Sequence, residues 1–446
     1  MPRPVVALVG RTNVGKSTLL NRILGERHAV VDDSPNVTRD RLIVPVTWGG
    51  RDILVVDTGG WGLDVVSELQ LKVKHQAELA IAQADVIMLV VAAYDGVIPS
   101  DQEAVALVRA AGKKCVLVVN KVDHALHEAL VSDFHRLGVD SVVSVSALHN
   151  RGIDELMDAV VAKLPPAEPP VSYPEGSIRL AIVGRPNAGK STLLNALLND
   201  ERAIVDAMPG TTRDPLDAEL VWQGRRLVLV DTAGIRKKSH VTYGVDYFSV
   251  LRALQAIDRC DVAILVLDAT EPATAQDVTI ARYVREAGRG LVLVVNKWDL
   301  VPPDHRDAHR DWMKRKLDFL SFVPVLHVSA KERRHVKSVL QKAFEVSRAR
   351  EMRLSRAAVD AAIKESVERH APPMSGTRRL DIVWAHQDDV ETWKFVLHVN
   401  DPALVPSNYP RYLEHDLRRQ FGFHGVPLLF EFVSAGRRPR RKEAAA

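Results

Sequence analysis

Apolar residues in this chain fall into short, nearly unbroken runs set apart by longer stretches of mixed polarity. The runs at residues 5–9, 53–56, 86–91 and 116–119 have counterparts at 180–183, 227–230, 262–267 and 291–295. Unalternating apolar segments of this length predict strands buried on both faces. The helix-length segments between them predict a mostly parallel sheet with helices on both sides. After about residue 346 the pattern changes: a helical stretch near 348–370, strands at 380–384 and 394–400, a helix at 410–421 and a strand at 427–433 predict a small α+β domain. The expected organisation is one α/β domain over 1–164, a Pro-rich linker over 165–178, a second α/β domain over 179–346, a smaller domain over 347–435 and a basic disordered tail over 436–446.

Several predicted strands run straight into polar motifs, and these motifs recur in order at one constant offset. Gly10-Arg11-Thr12-Asn13-Val14-Gly15-Lys16-Ser17 returns as Gly184-Arg185-Pro186-Asn187-Ala188-Gly189-Lys190-Ser191. Thr38-Arg39-Asp40 returns as Thr212-Arg213-Asp214, and Asp57-Thr58-Gly59-Gly60 as Asp231-Thr232-Ala233-Gly234. The chain therefore reads as a tandem duplication of one nucleotide-binding domain. A strand, GxxxxGKS and a helix make a P-loop, whose main-chain amides and helix N-terminus surround phosphates.

The motifs assign roles. Lys16 and Lys190 are placed to reach the β and γ phosphates, and Ser17 and Ser191 to ligate Mg²⁺. Asp57 and Asp231 hold the same metal through water, while the amides of Gly60 and Gly234 meet the γ-phosphate. Thr38 and Thr212 complete the metal shell when that phosphate is present, which makes a switch released by hydrolysis. Asn120-Lys121-Val122-Asp123 and Asn296-Lys297-Trp298-Asp299 follow buried strands. A carboxylate there accepts from N1–H and the 2-amino group of guanine, whereas adenine leaves it unpaired, so GTP is expected over ATP. Ser146-Ala147 and Ser329-Ala330 supply further contact to the base.

Composition narrows the picture. The 446 residues are 46% hydrophobic and 26% charged, and no apolar run approaches the roughly 20 residues that span a bilayer. A cytoplasmic location with no membrane partner is expected. Two cysteines make a disulfide framework improbable. The net charge of +4 is carried wholly by the C-terminal hundred residues.

The full set of motifs resembles the Der (EngA) family, tandem-domain bacterial GTPases of ribosome assembly. Asp231-Thr232-Ala233-Gly234-Ile235-Arg236-Lys237-Lys238, Tyr412-Leu413-Glu414 and Phe421-Gly422-Phe423 also match. The resemblance implies a KH-like C-terminal domain packed between the GTPase domains, association with the large ribosomal subunit and its rRNA, and nucleotide-dependent rearrangement. The chain departs from the family pattern at Thr12, Asn36, Ala92 (for an Asp) and Lys331-Glu332-Arg333-Arg334 (for a Leu and a Gly-rich turn). Trp61 and Ile235 follow the DxxG motifs where many small GTPases carry a water-orienting Gln, so unaided hydrolysis is expected to be slow. Asn13 and Asn187 occupy the position that ligates K⁺ in similar GTPases, which makes K⁺ an expected cofactor beside GTP/GDP and Mg²⁺.

Weaker signals add little. Gly422-Phe423-His424-Gly425 spells the GxxG clamp of KH domains but sits between a helix and a strand. His305 with His309, and His124 with His127, read as surface histidines. The alternative to a hydrolysing switch is a GTP-binding RNA or ribosome scaffold with little turnover. Intact Lys16, Ser17, Lys190 and Ser191 favour hydrolysis, and a monomer is expected.

Overall fold

The computed structural model describes residues 3–25, 43–57, 80–124, 127–166, 173–198, 217–232, 245–271, 273–375, 378–390 and 393–435. The chain divides into two compact units, residues 1–170 with 241–247 and residues 171–240 with 248–446, and the helix that begins at Val245 is described with the second, which holds most of it.

The first unit holds β1 (Val5–Val9), α1 (Lys16–Gly25), β2 (Ile43–Trp48), β3 (Arg51–Asp57), β4 (Val86–Ala92), α2 (Pro99–Ala110), β5 (Lys114–Asn120), α3 (Glu128–Phe134), β6 (Val142–Ser144) and α4 (Ile153–Lys163). Its sheet runs β2-β3-β1-β4-β5-β6, parallel except where β2 pairs with β3. Every residue of β1 and β4 is buried, as unalternating strands covered on both faces require.

The second unit repeats this plan with β7 (Ile178–Val183), α5 (Lys190–Leu198), β8 (Ala218–Trp222), β9 (Arg225–Val230), α6 (Val245–Arg259), β10 (Val262–Asp268), α7 (Ala275–Glu286), β11 (Gly290–Asn296), α8 (Arg306–Lys316), β12 (Val325–His327) and α9 (Lys337–Arg350). The sheet order β12-β11-β10-β7-β9-β8 is the same order read from the other edge. It continues into α10 (Arg356–Arg369), β13 (Met374–Ser375), β14 (Arg378–Arg379), β15 (Ile382–Gln387), β16 (Lys394–Val399), α11 (Tyr409–Phe421) and β17 (Leu429–Ser434). Strand β16 pairs antiparallel with β15 and parallel with β17. Val359, Ile363, Leu413 and Leu417 of the two helices share a buried cluster with Phe395, Leu397 and Val399 of β16.

The helical stretch expected near 348–370 is two helices. Helix α9 ends at Arg350, and Ser355 then caps α10 by accepting from the Ala358 amide at 3.2 Å. A serine oxygen satisfies an amide that would otherwise lack a partner at a helix start, so the chain restarts there. Helix α9 runs through residue 346, and its Val339, Leu340, Ala343 and Val346 belong to the buried core beneath the second large sheet.

The GxxG stretch is a packing device. The Gly425 amide donates to Phe322 O at 2.9 Å and its carbonyl accepts from the Leu291 amide at 2.8 Å. A Cβ there would lie 2.4 Å from Val346 Cγ2, at φ +73°. The segment therefore seats the small domain against β11 and α9.

Two candidate guanine-nucleotide sites

Each site grows from the end of the sheet's central strand. After β1, Gly10 has φ +153° and a Cβ would stand 2.3 Å from Val90 O; Gly15 has φ +94° and a Cβ would meet Asn120 Nδ2 at 2.3 Å. Gly184 and Gly189 repeat these approaches against Val266 O at 2.4 Å and Asn296 Nδ2 at 2.1 Å. Asn13 and Asn187 adopt left-handed backbone at φ 64° and 62°, which Asn tolerates better than most residues. The loop thus curls tightly before α1 and α5 begin at Lys16 and Lys190, the geometry of an amide-lined anion cradle.

The lysines lie inside the curl. Lys16 Nζ donates to Gly10 O at 2.6 Å and Arg11 O at 2.5 Å, and Lys190 Nζ to Gly184 O at 2.8 Å and Arg185 O at 2.7 Å. Burial pushes the Lys190 ammonium down to about 8, against a small opposing pull from Asp277. A desolvated cation beside carbonyls gains when an anion arrives.

The base-side motifs fasten the loops together. Asn120 Nδ2 donates to Val14 O at 2.8 Å while its Oδ1 accepts from the Ala147 amide at 3.1 Å. Asn296 does the same with Ala188 O and the Ala330 amide, both at 2.9 Å. One amide side chain therefore links the phosphate loop to the Ser-Ala loop in each domain. Lys121 and Lys297 follow in left-handed backbone at φ 65° and 63°. In the first site Ser146 Oγ donates to Asp123 Oδ1 at 2.6 Å, which fixes the carboxylate expected to read the base. Val122 lines the groove beside it, and Trp298 at the matching position packs on His327 at 4.1 Å between ring centres.

Two hard oxygens face each other at the metal side. Ser17 Oγ donates to Asp57 Oδ2 at 3.1 Å, a donor set that suits Mg²⁺. Asp231 stands at the end of β9 with φ 57°, and its amide donates to Asp217 Oδ1 at 2.9 Å. Thr232 beside it is buried. Thr38, Thr58, Gly59, Gly60, Trp61, Thr212, Ala233, Gly234 and Ile235 lie outside the described residues.

Arg11 and Arg185 make contacts the motif reading did not foresee. Arg11 bonds Asp95 and stands 3.6 Å from Asp101, and Arg185 bonds Glu271 at 2.5 Å and stands 3.8 Å from Asp277. Both tether the phosphate loop to the segment before the next helix. The departure at 331–334 leaves the local fold intact: Ser329 and Arg334 exchange backbone hydrogen bonds at 3.2 and 3.0 Å, as Ser146 and Arg151 do at 3.0 and 3.1 Å.

Comparison with known proteins decides the identity. Residues 5–121 and 179–297 match the family described as 50S ribosome-binding GTPase, and 353–432 match the KH-domain-like C-terminal domain of EngA bacterial GTPase enzymes. The chain is 44% identical over 432 residues to GTPase Der of Pelotomaculum thermopropionicum, covering 96% of this chain and 98% of that one. It is 43% identical to GTPase Der of Desulforamulus reducens, again over 96% of this chain and 98% of the relative. Against GTPase Der of Caldanaerobacter subterraneus the identity is 42% over 98% of this chain and the whole relative.

The chain belongs to the GTPase Der family. It is a GTP hydrolase with tandem GTPase domains and a KH-like C-terminal domain, and it acts in ribosome assembly. Among the described residues no helix is long and apolar enough to cross a membrane.

Proposed function

We propose that the two cradles are independent GTP switches through which this cytoplasmic GTPase engages the large ribosomal subunit and its rRNA. The observation that carries the reading is the duplicated fastening of phosphate loop, Asn and Ser-Ala loop around a lysine, buried in the first site and half-buried in the second.

In each site the loop amides and Lys16 or Lys190 neutralise the β and γ phosphates, while Asp123 or Asp299 accepts from the guanine edge. Ser17 with Asp57 and Thr38, and Ser191 with Asp231 and Thr212, would hold Mg²⁺. When bound, the ion neutralises charge developing on the phosphates. Gly60 and Gly234 hold the terminal phosphate, so its loss frees the adjoining loops. Ile235 has no hydrogen-bonding group and the Trp61 indole only donates, so neither side chain can accept a proton of the attacking water as a Gln does. Asn13 and Asn187 would offer a K⁺ position, and the ion's charge would substitute for an arginine finger.

Turnover by Lys16→Ala and Lys190→Ala variants in K⁺ and Na⁺ tests the chemistry. Each substitution abolishes one site's turnover, and the remaining rate rises in K⁺; equal rates in both salts remove the K⁺ assignment. Co-sedimentation with purified large subunits in GDP, GTP and a non-hydrolysable analogue tests the partner. Pelleting indifferent to nucleotide argues against a switch.

A further inference from the structure

We propose that the flank of α8 that carries Arg310 and Lys314, together with the loop 331–334 that follows the second Ser-Ala motif, forms a binding surface for the phosphate backbone of RNA. The inference rests on the ribosomal reading above and names the surface that carries it.

The duplication provides an internal comparison. At this position the first domain has α3, seven residues long with Glu128 and Asp133, and a loop of Leu148, His149, Asn150 and Arg151. The second has eleven residues in α8, where Arg306, Arg310 and Lys314 recur at i, i+4 and i+8, followed by Arg315 and Lys316, so five cations outweigh Asp307 and Asp311. That spacing lines three cations along one helix face. The loop after β12 adds Lys331, Arg333 and Arg334.

The helix cations and the strand that leads into the loop meet at Trp298. The guanidiniums of Arg306 and Arg310 each stand 5.7 Å from its ring centre, and His327, two residues before Ser329, packs on the same ring. From there the helix runs about 16 Å, enough to meet several phosphates of a duplex.

These charges are turned to solvent. Lys314, Arg315, Lys316, Lys331 and Arg333 are exposed and make no ion pair among the described residues. Arg310 and Arg334 pair only with Asp307 and Glu332 close in sequence, at 2.9 and 3.0 Å.

The loop keeps one of its cations in an unfavourable backbone. Arg333 and His335 sit at φ 57° and 58°, where the first domain uses Asn150 at 57° and Gly152 at 70°. Long side chains held in left-handed backbone, where the sister loop uses the residue types that suit it, mark a site selected for something other than stability.

The test is a full-length charge reversal, Lys314→Glu, Arg315→Glu, Lys331→Glu and Arg333→Glu together, with the four Gln substitutions as a second variant and thermal unfolding to verify folding. The probes are an RNA duplex with a single-stranded end and purified bacterial large subunits, each titrated across KCl concentrations. We expect the Glu variant to bind both probes at least about tenfold more weakly, with a log–log salt slope shallower by about 3 to 4, and the Gln variant to lie between. GTP turnover without RNA stays at the parent rate. Unchanged affinity and slope overturn the surface while leaving the parent's subunit binding, and so the ribosomal reading, in place. Loss of subunit binding with RNA binding retained assigns the surface to a protein partner and also overturns it. A parent chain that binds neither probe overturns both readings.

Discussion

Asp268 Oδ2 and Lys297 Nζ form an ion pair at 2.5 Å beside the second base site, and the matching register position in the first domain is Ala92. Asp268 is opposite Asn296 as Ala92 is opposite Asn120, so the comparison is position for position. Thr270 donates to the other carboxylate oxygen through its amide at 2.9 Å and its hydroxyl at 2.7 Å. Hydrogen bonds from Lys297 and Thr270 outweigh burial and hold the Asp268 carboxyl below its usual range.

This pair predicts unequal sites. Holding a lysine stem in one rotamer costs up to about 2 kcal/mol of side-chain entropy, which the second site has already met before the base arrives. Asp268→Ala should weaken guanine-nucleotide binding there about three- to tenfold, and Ala92→Asp should tighten the first site. Fluorescent-nucleotide titrations, with the other site disabled by its Lys→Ala change, measure both. An Asp268→Ala variant with unchanged affinity refutes the role.

Lys190 predicts a proton linkage. Burial pushes its ammonium down to about 8, from 10.5 when unperturbed. Bound phosphate restores the charge, so binding at the second site should take up a proton near pH 8 to 9, and affinity should fall as pH rises through that range. The stability sign is opposite: between 8 and 10.5 the unfolded chain binds more protons than the native one. This group's destabilisation, complete below 8, is therefore relieved as pH rises. Calorimetry in buffers of different ionisation enthalpy reads the uptake, and buffer-independent heats contradict it.

Gly189 predicts a local lesion. A Cβ would stand 2.1 Å from Asn296 Nδ2, and φ is +93°. Gly189→Ala should displace Asn296 from Ala188 O and Ala330, cost about 2 kcal/mol or more of stability and abolish nucleotide binding at that site alone. Gly25→Ala, with nothing within 4 Å, is the neutral control. Thermal melts and single-site binding compare them.

His335 predicts a gain. Left-handed backbone costs a residue with a Cβ about 1 to 2 kcal/mol, of which glycine's extra chain entropy returns about half. His335→Gly should raise the melting temperature by a few degrees, about 0.5 to 1 kcal/mol. Gly152→His should lower it further than that, since a Cβ there meets Ser144 O at 2.3 Å. A drop in melting temperature for His335→Gly would show that its side chain holds the loop.

The α/β alternation, the two phosphate loops and the guanine motifs were legible because their chemistry is local. An apolar run of five residues becomes a buried strand, and GxxxxGKS curls wherever a strand delivers it to a helix. The break at Ser355 was harder to read, since one capping serine inside a helical stretch competes with the periodicity around it. Gly422 to Gly425 carried the spelling of an RNA clamp, and only its neighbours Leu291, Phe322 and Val346 reveal a docking turn.

Sequence alone determined that this chain is two copies of a GTP-binding fold and a smaller domain, since those features depend on residues adjacent along the chain. Tertiary structure decided that Asn120 and Asn296 fasten loops, that Arg11 and Arg185 tether the phosphate loop to distant acids, and that Asp268 holds Lys297. Such partners lie 29 to 108 positions apart in these pairs, and spacing along a strand says nothing about which side chains the sheet brings within 3 Å.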